Sequence, residues 1–458
     1  MGSRQRSQVM RLCAAVMVAA VGSAGSALVV DDRLAGVARA DPAGADWLPN
    51  VGVTAPMVRQ PPGRQGEADL NGDGYSDLVV GGSVDRPDAD AMSWGVSVIY
   101  GGPDGLARPG NQLWQDSTFS SGPPTRGTVS ALVTGDFDGD GCDDLAVGTD
   151  QAQLGDDDEI LVGEVRVIYG SRQGLTKTGS QVWLPSVVDG VPPDGEDGFF
   201  GSALAAADFG RSRADDLAIG SSDWGNGRGS VTLLYGSSTG LTSSGAQTWT
   251  QDSPGVPGKA VGASGATGIG DQFGAALAAG SLTGGRYAAL AIGVPDDGMT
   301  RRRDGPGSVN VLYGSSSGLT ARGADHWSPA SPGVKGRSVE GGAFGGSVTI
   351  GHFAGRAAAD LVVTSRDAQY DGRITVLRGG KHGLTSRGDQ LWTTRSLCRT
   401  DRKFFDSQFA WSLTVGDFGH DSSSKEFDDL VVGGSGYLGK EDANPWGQRW
   451  CCTAPREV

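Results

Sequence analysis

The chain has 458 residues and a formal net charge of −15, and only 7% of its residues are aromatic. So acidic a chain does not suggest nucleic acid or an anionic membrane surface as a partner, and we predict that it binds no nucleic acid. Gly and Pro contribute 77 and 21 residues, yet short aliphatic runs recur throughout. The composition therefore indicates a turn-rich, all-β protein and not a disordered one.

The N-terminal segment is typical of an export signal. Arg4, Arg6 and Arg11 precede an apolar stretch over residues 12–21, and the Ala-Arg-Ala run at 38–40 offers a cleavage site. We interpret residues 1–40 as a signal peptide and predict a secreted, extracellular protein, with a retained N-terminal anchor as the alternative. No later segment approaches about 18 apolar residues, so we predict no transmembrane span in the mature chain. Residues 41–63 are then a linker or a segment that closes a ring.

An acidic loop follows, and a second one appears after a strand-rich interval. Residues 136–141 read Asp-Phe-Asp-Gly-Asp-Gly and Asp144 closes the run, while residues 69–77 form a near copy. A hard divalent cation needs about six to eight oxygens, which carboxylates at positions 1, 3, 5 and 9 supply around a sharp glycine turn. Asp and Asn also favour metal-free turns. That reading is disfavoured because so many carboxylates would repel one another in an empty loop.

The acidic loops belong to a repeat that continues to the end of the chain. The leucines of the aliphatic strand after each loop are 67 to 73 residues apart: Leu78, Leu145, Leu217, Leu290, Leu361 and Leu430. In the first five units a second strand, a Gly-Leu pair and a Trp follow, the last being Trp114, Trp183, Trp249, Trp327 and Trp392. Several short strands per period predict one four-stranded blade per repeat, stacked in a ring, with each Trp packed between blades.

The order of motifs resembles the FG-GAP repeat, the blade unit of the integrin α-chain N-terminal propeller. A Phe-Gly pair precedes the loop at residues 200–201, 273–274 and 344–345, and a Gly-Val-Pro stretch lies at 293–295. The resemblance implies a β-propeller over residues 64–447, with six repeats visible and seven blades in the complete ring. It also implies calcium loops on one face and an extracellular binding role.

The resemblance also implies which atoms bind Ca²⁺. The ligands of the first loop are Asp69, Asn71, Asp73, the carbonyl of Tyr75 and Asp77, and those of the second are Asp136, Asp138, Asp140, the carbonyl of Cys142 and Asp144. Calcium in these loops either stabilises the fold or coordinates a partner directly, and the structural role is favoured.

The later loops lose the ligand set. The third keeps Asp208 and Asp216 but contains two arginines, and the sixth resumes at Asp429 after a longer polar stretch, so calcium binding there stays open. The fourth loop has no carboxylate, and the fifth begins with His352, which predicts metal-free loops.

Catalytic motifs are weak in this sequence. Residues 236–240 and 314–318 match the nucleophile-elbow pattern, but both lie where other repeats have a hairpin turn. The four histidines are scattered, so we predict no catalytic residue and no cofactor beyond calcium. Two functions remain open: binding or adhesion to an extracellular protein or glycan through the variable loops, which is favoured, and a phospholipase-type or polysaccharide-cleaving hydrolase or lyase.

The C-terminal tail breaks the repeat. After residue 447 a Val-x-Val-Leu-x-Gly strand is expected, but residues 448–458 do not supply it. A shifted reading frame over GC-rich codons would restore such a strand and turn, so we hypothesise a frameshift that truncates the seventh blade. A divergent natural tail is the alternative, and sequencing of the coding region distinguishes the two.

Overall fold

The computed structural model describes residues 53–54, 68–85, 92–103, 105–106, 110–119, 128–153, 161–185, 199–263, 270–298, 305–354, 356–366, 372–393, 410, 412–416 and 428–433. The predicted signal peptide, most of the 41–63 segment and the aberrant tail lie outside these ranges. Within them, no helix has the length and apolar character that a membrane crossing requires.

The described residues form six antiparallel sheets, which we number as blades in chain order. The strands of the first three blades are β1 (Val53–Thr54), β2 (Leu78–Asp85), β3 (Met92–Ile99), β4 (Gln112–Gln115); β5 (Ala131–Gly135), β6 (Asp144–Gln153), β7 (Leu161–Tyr169), β8 (Thr176–Trp183); β9 (Phe200–Ala207), β10 (Asp216–Ser221), β11 (Ser230–Tyr235) and β12 (Thr242–Trp249). Those of the last three are β13 (Ala276–Gly280), β14 (Ala289–Val294), β15 (Ser308–Ser315), β16 (Gly318–Trp327); β17 (Val348–Gly351), β18 (Asp360–Arg366), β19 (Gly372–Arg378), β20 (Thr385–Thr393); β21 (Ser412–Gly416) and β22 (Asp429–Gly433). Two four-residue helical turns, α1 (Asp116–Phe119) and α2 (Trp224–Gly227), complete the elements.

The topology is that of a β-propeller. Five sheets have four strands in simple meander order, and the sixth has two described strands. The first strands of consecutive blades, β1, β5, β9, β13, β17 and β21, contact one another in that order. The predicted all-β propeller of four-stranded blades is therefore confirmed, whereas the seventh blade stays a prediction.

The hydrophobic core consists of layers between neighbouring blades. Each of five clusters combines residues of two consecutive blades, and each includes or packs against the Trp of the fourth strand: Trp114, Trp183, Trp249, Trp327 or Trp392. Trp114, for example, shares its cluster with Leu145 and Ile168 of the second blade. The prediction that the repeated Trp packs between blades is thus confirmed. A blade alone would expose these faces, so burial drives the stacking.

The Phe-Gly motif places two backbones against each other. Gly201 has φ of +90°, and a Cβ on the facing Gly148 of β6 would lie 2.1 Å from the Gly201 carbonyl oxygen. The preceding side chain, Phe200, is fully buried in the cluster between the second and third blades. The motif therefore combines a core anchor with a close approach of two blades that a side chain would prevent.

A Tyr and Gln pair in one blade holds the Gly-Leu pair of the next. The Tyr169 hydroxyl donates to Gln181 Oε1 at 2.7 Å and accepts the Leu241 N–H at 2.9 Å, while Gln181 Nε2 donates to the Leu241 carbonyl at 3.0 Å. A Cβ on Gly240 would lie 2.0 Å from the Tyr169 hydroxyl. Tyr100 and Tyr235 repeat the arrangement. This clamp explains why the Gly-Leu pair recurs.

Replacing Tyr169 with Phe is expected to destabilise the chain by about 1–3 kcal/mol, since the buried Leu241 N–H and Gln181 lose their partner. Urea unfolding followed by Trp fluorescence measures the loss. The matched control is Tyr287→Phe, which removes the hydroxyl of a half-buried tyrosine outside the clamp and should change stability by no more than about 0.5 kcal/mol. Equal effects of the two substitutions would contradict the clamp.

Candidate metal centre

The second acidic loop gathers three carboxylates before the start of β6. Ligand oxygens of Asp136, Asp138 and Asp144 all lie within 4.8 Å of one another. The loop is shaped by its own side chains, because the Asp140 N–H donates to Asp136 Oδ1 at 3.0 Å and to Asp138 Oδ1 at 3.1 Å. The Cys142 N–H in turn donates to Asp140 Oδ1 at 2.8 Å. The backbone is thereby folded around a concave set of oxygens.

The first loop has the same hydrogen-bond pattern. The Asp73 N–H donates to Asp69 Oδ1 and to Asn71 Oδ1, both at 3.0 Å, and the Tyr75 N–H donates to Asp73 Oδ1 at 3.0 Å. Asp77 is buried at the start of β2. The structure thus places the predicted ligand residues of both loops in matching positions.

Burial and mutual repulsion act on these carboxyl groups. The pKa of Asp144 is raised to about 9, first by burial and then by the charges of Asp138 and Asp136, against the hydrogen bonds from the Gly170 and Phe137 N–H groups. The pKa values of Asp136 and Asp138 are also raised, in both cases first by burial. Each loop therefore favours a bound positive charge, either a proton or a cation.

The last aspartate of each loop has a second role that the sequence analysis missed. Asp144 accepts the Phe137 N–H through Oδ2 at 2.7 Å and the Gly170 N–H, beyond the third strand, through Oδ1 at 2.8 Å. The first-blade, third-blade and fifth-blade equivalents, Asp77, Asp216 and Asp360, anchor the glycine after the third strand in the same way. The signal was present in the sequence, because this aspartate persists in loops that have lost the other ligands.

The residue before this last aspartate, Asp143 or Asp215, joins neighbouring blades. The Asp143 N–H donates to the Asp69 carbonyl and the Asp69 N–H donates to Asp143 Oδ2, both at 2.9 Å. Asp215 and Asp136 form the same reciprocal pair between the next two blades, at 2.8 and 3.3 Å. Each acidic loop is therefore tied directly to the next blade, and a cation bound in the loop would stiffen that junction.

Arginine side chains occupy the third and fifth loops, which lack part of the calcium ligand set. In the fifth blade, Arg378 Nη1 lies 2.8 Å and Arg356 Nη2 lies 3.3 Å from the Asp360 carboxylate, so the chain supplies its own cations. In the third loop, Arg211 donates to the Ser317 and Gly245 carbonyls and stacks over Tyr235. The fifth-loop geometry agrees with the metal-free prediction. The sixth-loop residues 417–427 lie outside the described ranges.

The residues present fit a hard divalent cation. The donor set consists of carboxylate and amide oxygens on a short loop, which is the ligand chemistry of calcium. Among the residues that the structure describes, the Asp136, Asp138 and Asp144 group is the one set of three acidic, His or Cys side chains with this spacing. A bound Ca²⁺ would supply positive charge that neutralises these carboxylates.

We expect calcium to stabilise the fold more strongly as pH rises. The folded pKa of Asp144, about 9, lies above its ordinary value of 3.8, so in the metal-free chain its favourable contribution is present below about pH 3.8 and is lost as pH rises towards 9. Calcium must displace the proton and binds better at high pH. The Tm increase caused by calcium should therefore be larger at about pH 8 than at about pH 5.5. Differential scanning fluorimetry at both pH values tests this, and an equal increase at both would contradict it.

The two nucleophile-elbow sequences are hairpin turns, as the sequence predicted. Ser237 and Ser315 donate their hydroxyls to the carbonyls of Gly240 and Gly318, both at 2.7 Å, within the turns that lead into β12 and β16. Each turn connects two strands, so the strand-to-helix geometry of an elbow is missing at both places.

The repeat resemblance is supported by comparison with known families. The family model described as FG-GAP repeat matches residues 128–162, which span the second loop and all of β6. The chain contains an FG-GAP repeat. The Asp136 loop is the acidic loop of that matched segment.

Curated relatives of the chain include phosphatidylinositol-glycan-specific phospholipase D from several mammals. The mouse protein is 34% identical over 25% of the chain and 13% of its own length. The bovine protein is 32% identical over 38% of the chain and 20% of its own length, and the human protein 31% over 37% and 20%. The chain thus spans a fifth or less of the length of these relatives.

Solved structures give more distant likenesses. The exotype rhamnogalacturonan lyase YesX aligns with 76% of the chain and 62% of its own length, with a TM-score of 0.36 and 10% identity. Rhamnogalacturonan lyase YesW aligns with 79% and 69%, with a TM-score of 0.33 and 11% identity. Neither is close enough to inform the function of the chain.

Proposed function

We propose that this chain is a secreted, calcium-stabilised FG-GAP propeller that forms part of an extracellular hydrolase or lyase, or acts beside one. The enzyme acts on a glycan-bearing substrate. The observation that carries the proposal is the similarity to phosphatidylinositol-glycan-specific phospholipase D from several mammals. It favours the alternative of the sequence analysis over the adhesion role. A phosphatidylinositol-glycan or a related lipid-linked glycan is the substrate class that this similarity suggests.

In this proposal the calcium loops are structural. The ligands are those expected from the sequence: Asp69, Asn71, Asp73, the Tyr75 carbonyl, Asp77, Asp136, Asp138, Asp140, the Cys142 carbonyl and Asp144. The hydrogen bonds from Asp143 and Asp215 to neighbouring loops support this role, since they make each loop part of a blade junction. Residues 1–40 direct export, and residues 64–447 form the propeller that positions substrate.

Vesicles that carry a glycan-phosphatidylinositol-anchored reporter test the proposal. The secreted chain, with calcium, should release the reporter or bind its phosphoinositol-glycan headgroup, and a matched transmembrane-anchored reporter should be neither released nor bound. Release shows that the hydrolytic centre lies in this chain, while calcium-dependent retention without release shows a substrate-binding propeller that acts beside a separate centre. If the reporter were neither released nor retained, the proposal would be overturned.

Binding or adhesion to another extracellular protein or glycan is the second candidate. The observation that favours it is that both elbow sequences form hairpin turns between two strands, held by the hydroxyls of Ser237 and Ser315, so neither has the strand-to-helix geometry that presents a nucleophile. A glycan and protein array with and without calcium tests it, with retention of a partner that lacks phosphoinositol as the supporting result.

A further inference from the structure

Polar residues occupy one equivalent groove between successive blades, next to the fourth-strand Trp. Two residues after that Trp, Asp116 of the first blade and Gln251 of the third occupy the same position. On the third strand of the following blade, Arg166 and Asn310 are equivalent, because each pairs with the residue that precedes the next Trp. We call this position the interblade groove. The groove between the first and second blades can therefore be compared with the groove between the third and fourth.

Between the first and second blades, the chain fills the groove with its own cation. Arg166 Nη2 lies 2.8 Å from Glu164 Oε1 and 3.8 Å from Asp116 Oδ1, and all three side chains are buried. The guanidinium also lies 4.7 Å from the ring centroid of Phe119. Two buried carboxylates are thus neutralised within the protein, as buried charges require.

Between the third and fourth blades, the equivalent of Arg166 is the neutral Asn310, yet acidic groups remain. Asp271 is fully buried, and its Oδ2 accepts the Val261 N–H at 2.5 Å. Its other oxygen, Oδ1, is buried and has no hydrogen-bond partner among the residues that the structure describes. The pKa of Asp271 is raised to about 7, first by burial and then by the charges of Asp297, Asp296 and Asp252, against the hydrogen bond from the Val261 N–H. These carboxylates therefore lie close enough to repel one another.

A second buried oxygen, Oε1 of the almost fully buried Gln251, also lacks a hydrogen-bond partner within the described part of the chain. The orientation of its amide follows from a chain of hydrogen bonds. Asn310 Nδ2 donates to the Pro257 carbonyl at 2.6 Å, so Asn310 Oδ1 is the acceptor for Gln251 Nε2 at 3.4 Å. The Gln251 amide also bonds to Asp297 and helps to lower its pKa. Gln251 Oε1 is therefore an unsatisfied acceptor within the acidic cluster.

We propose that this interblade groove binds a divalent cation, calcium by its ligand chemistry, through Asp271 Oδ1, Gln251 Oε1 and the Asp297 carboxylate. The unsatisfied atoms are acceptors, so the missing group must be a donor or a cation. A neutral hydroxyl or water would leave the repulsion among the aspartates in place. A cation removes it, and so does a proton on Asp271, which the calcium stoichiometry described below distinguishes from a cation. The cation takes the place that Arg166 has between the first two blades. His326, 2.9 Å from Asp297, and Ser308 hold that carboxylate in position.

Calcium stoichiometry on the full chain tests this site. Equilibrium dialysis against calcium, followed by elemental analysis, should show that Asp271→Asn binds one calcium per chain fewer than the parent. Asp116→Asn is the matched control, since it removes a buried carboxylate from the equivalent groove that Arg166 occupies, and it should leave the stoichiometry unchanged. A parallel titration with Tb³⁺, excited through tryptophan, should show the same loss.

Gln251→Leu decides the matter if Asp271→Asn does not fold, because it removes one neutral oxygen and no charge. It should lower the affinity of one calcium by at least about tenfold, in line with loss of an inner ligand. Parental stoichiometry and affinity in the folded variant would overturn the proposal. So would an equal loss of calcium in Asp116→Asn, which would show a general effect of stability and not a site.

Discussion

Removal of calcium is expected to lower the thermal stability of the chain more than any single conservative substitution. At free calcium one hundred times the Kd, each occupied loop stabilises the folded state by about 2.7 kcal/mol, so two loops contribute about 5 kcal/mol. Thermal unfolding with calcium and with excess EGTA measures the difference. Magnesium should restore little of it, because that smaller ion requires near-octahedral geometry.

The control for this experiment is a chain without the first ligand of each strong loop, made by the double substitution Asp69→Asn and Asp136→Asn. Its Tm should respond to chelator much less than that of the unsubstituted chain, with any remaining response coming from the proposed interblade groove, and the fold should persist because the interblade cores remain. An identical Tm with and without calcium in the unsubstituted chain would show that the acidic loops are metal-free turns.

Replacement of Asp216 with Ala is expected to be the most damaging single change. Its carboxylate accepts two buried N–H groups, from Phe209 and Gly236, both at 2.9 Å. Each donor left unsatisfied costs about 1–3 kcal/mol, so we expect a loss of roughly 2–6 kcal/mol. Because the role is an anchor for the backbone, the loss should be the same in EGTA as in calcium. Urea unfolding in both conditions measures it.

Asp138→Ala supplies the contrast. Asp138 belongs to the carboxylate group of the second loop and is half-buried. In calcium its removal should cost most of one site, about 2.7 kcal/mol at saturation, whereas in EGTA the cost should disappear as repulsion with Asp136 and Asp140 is relieved. If Asp216→Ala showed this calcium dependence and Asp138→Ala did not, the separation of anchor and ligand roles would be wrong.

The repeat made the fold predictable from sequence. The spacing of the leucines, the Gly-Leu pairs and the tryptophans predicted four-stranded blades and interblade packing, and the sheets and core clusters confirm both. Short-range patterns suffice here because every blade contains the same short strands and packs against its neighbours in the same way. The acidic triad in the second loop agrees with the predicted calcium chemistry for the same reason, since its ligands lie within nine residues of one another.

The sequence by itself therefore determined the blade, its repeat and the two acidic loops, all of which depend on residues close together in the chain. Only the tertiary structure decided what joins one blade to the next. The contact of Asp143 with Asp69 spans 74 residues, that of Tyr169 with Leu241 spans 72, and Gln251 lies 59 residues from Asn310. Such partners meet only when blades stack. The repeat marks the Tyr, the Gly-Leu pair and the aspartates as recurring positions but does not say which residues they contact. Gln251 and Asn310 differ from their counterparts in the first groove, so no periodic pattern reveals that contact.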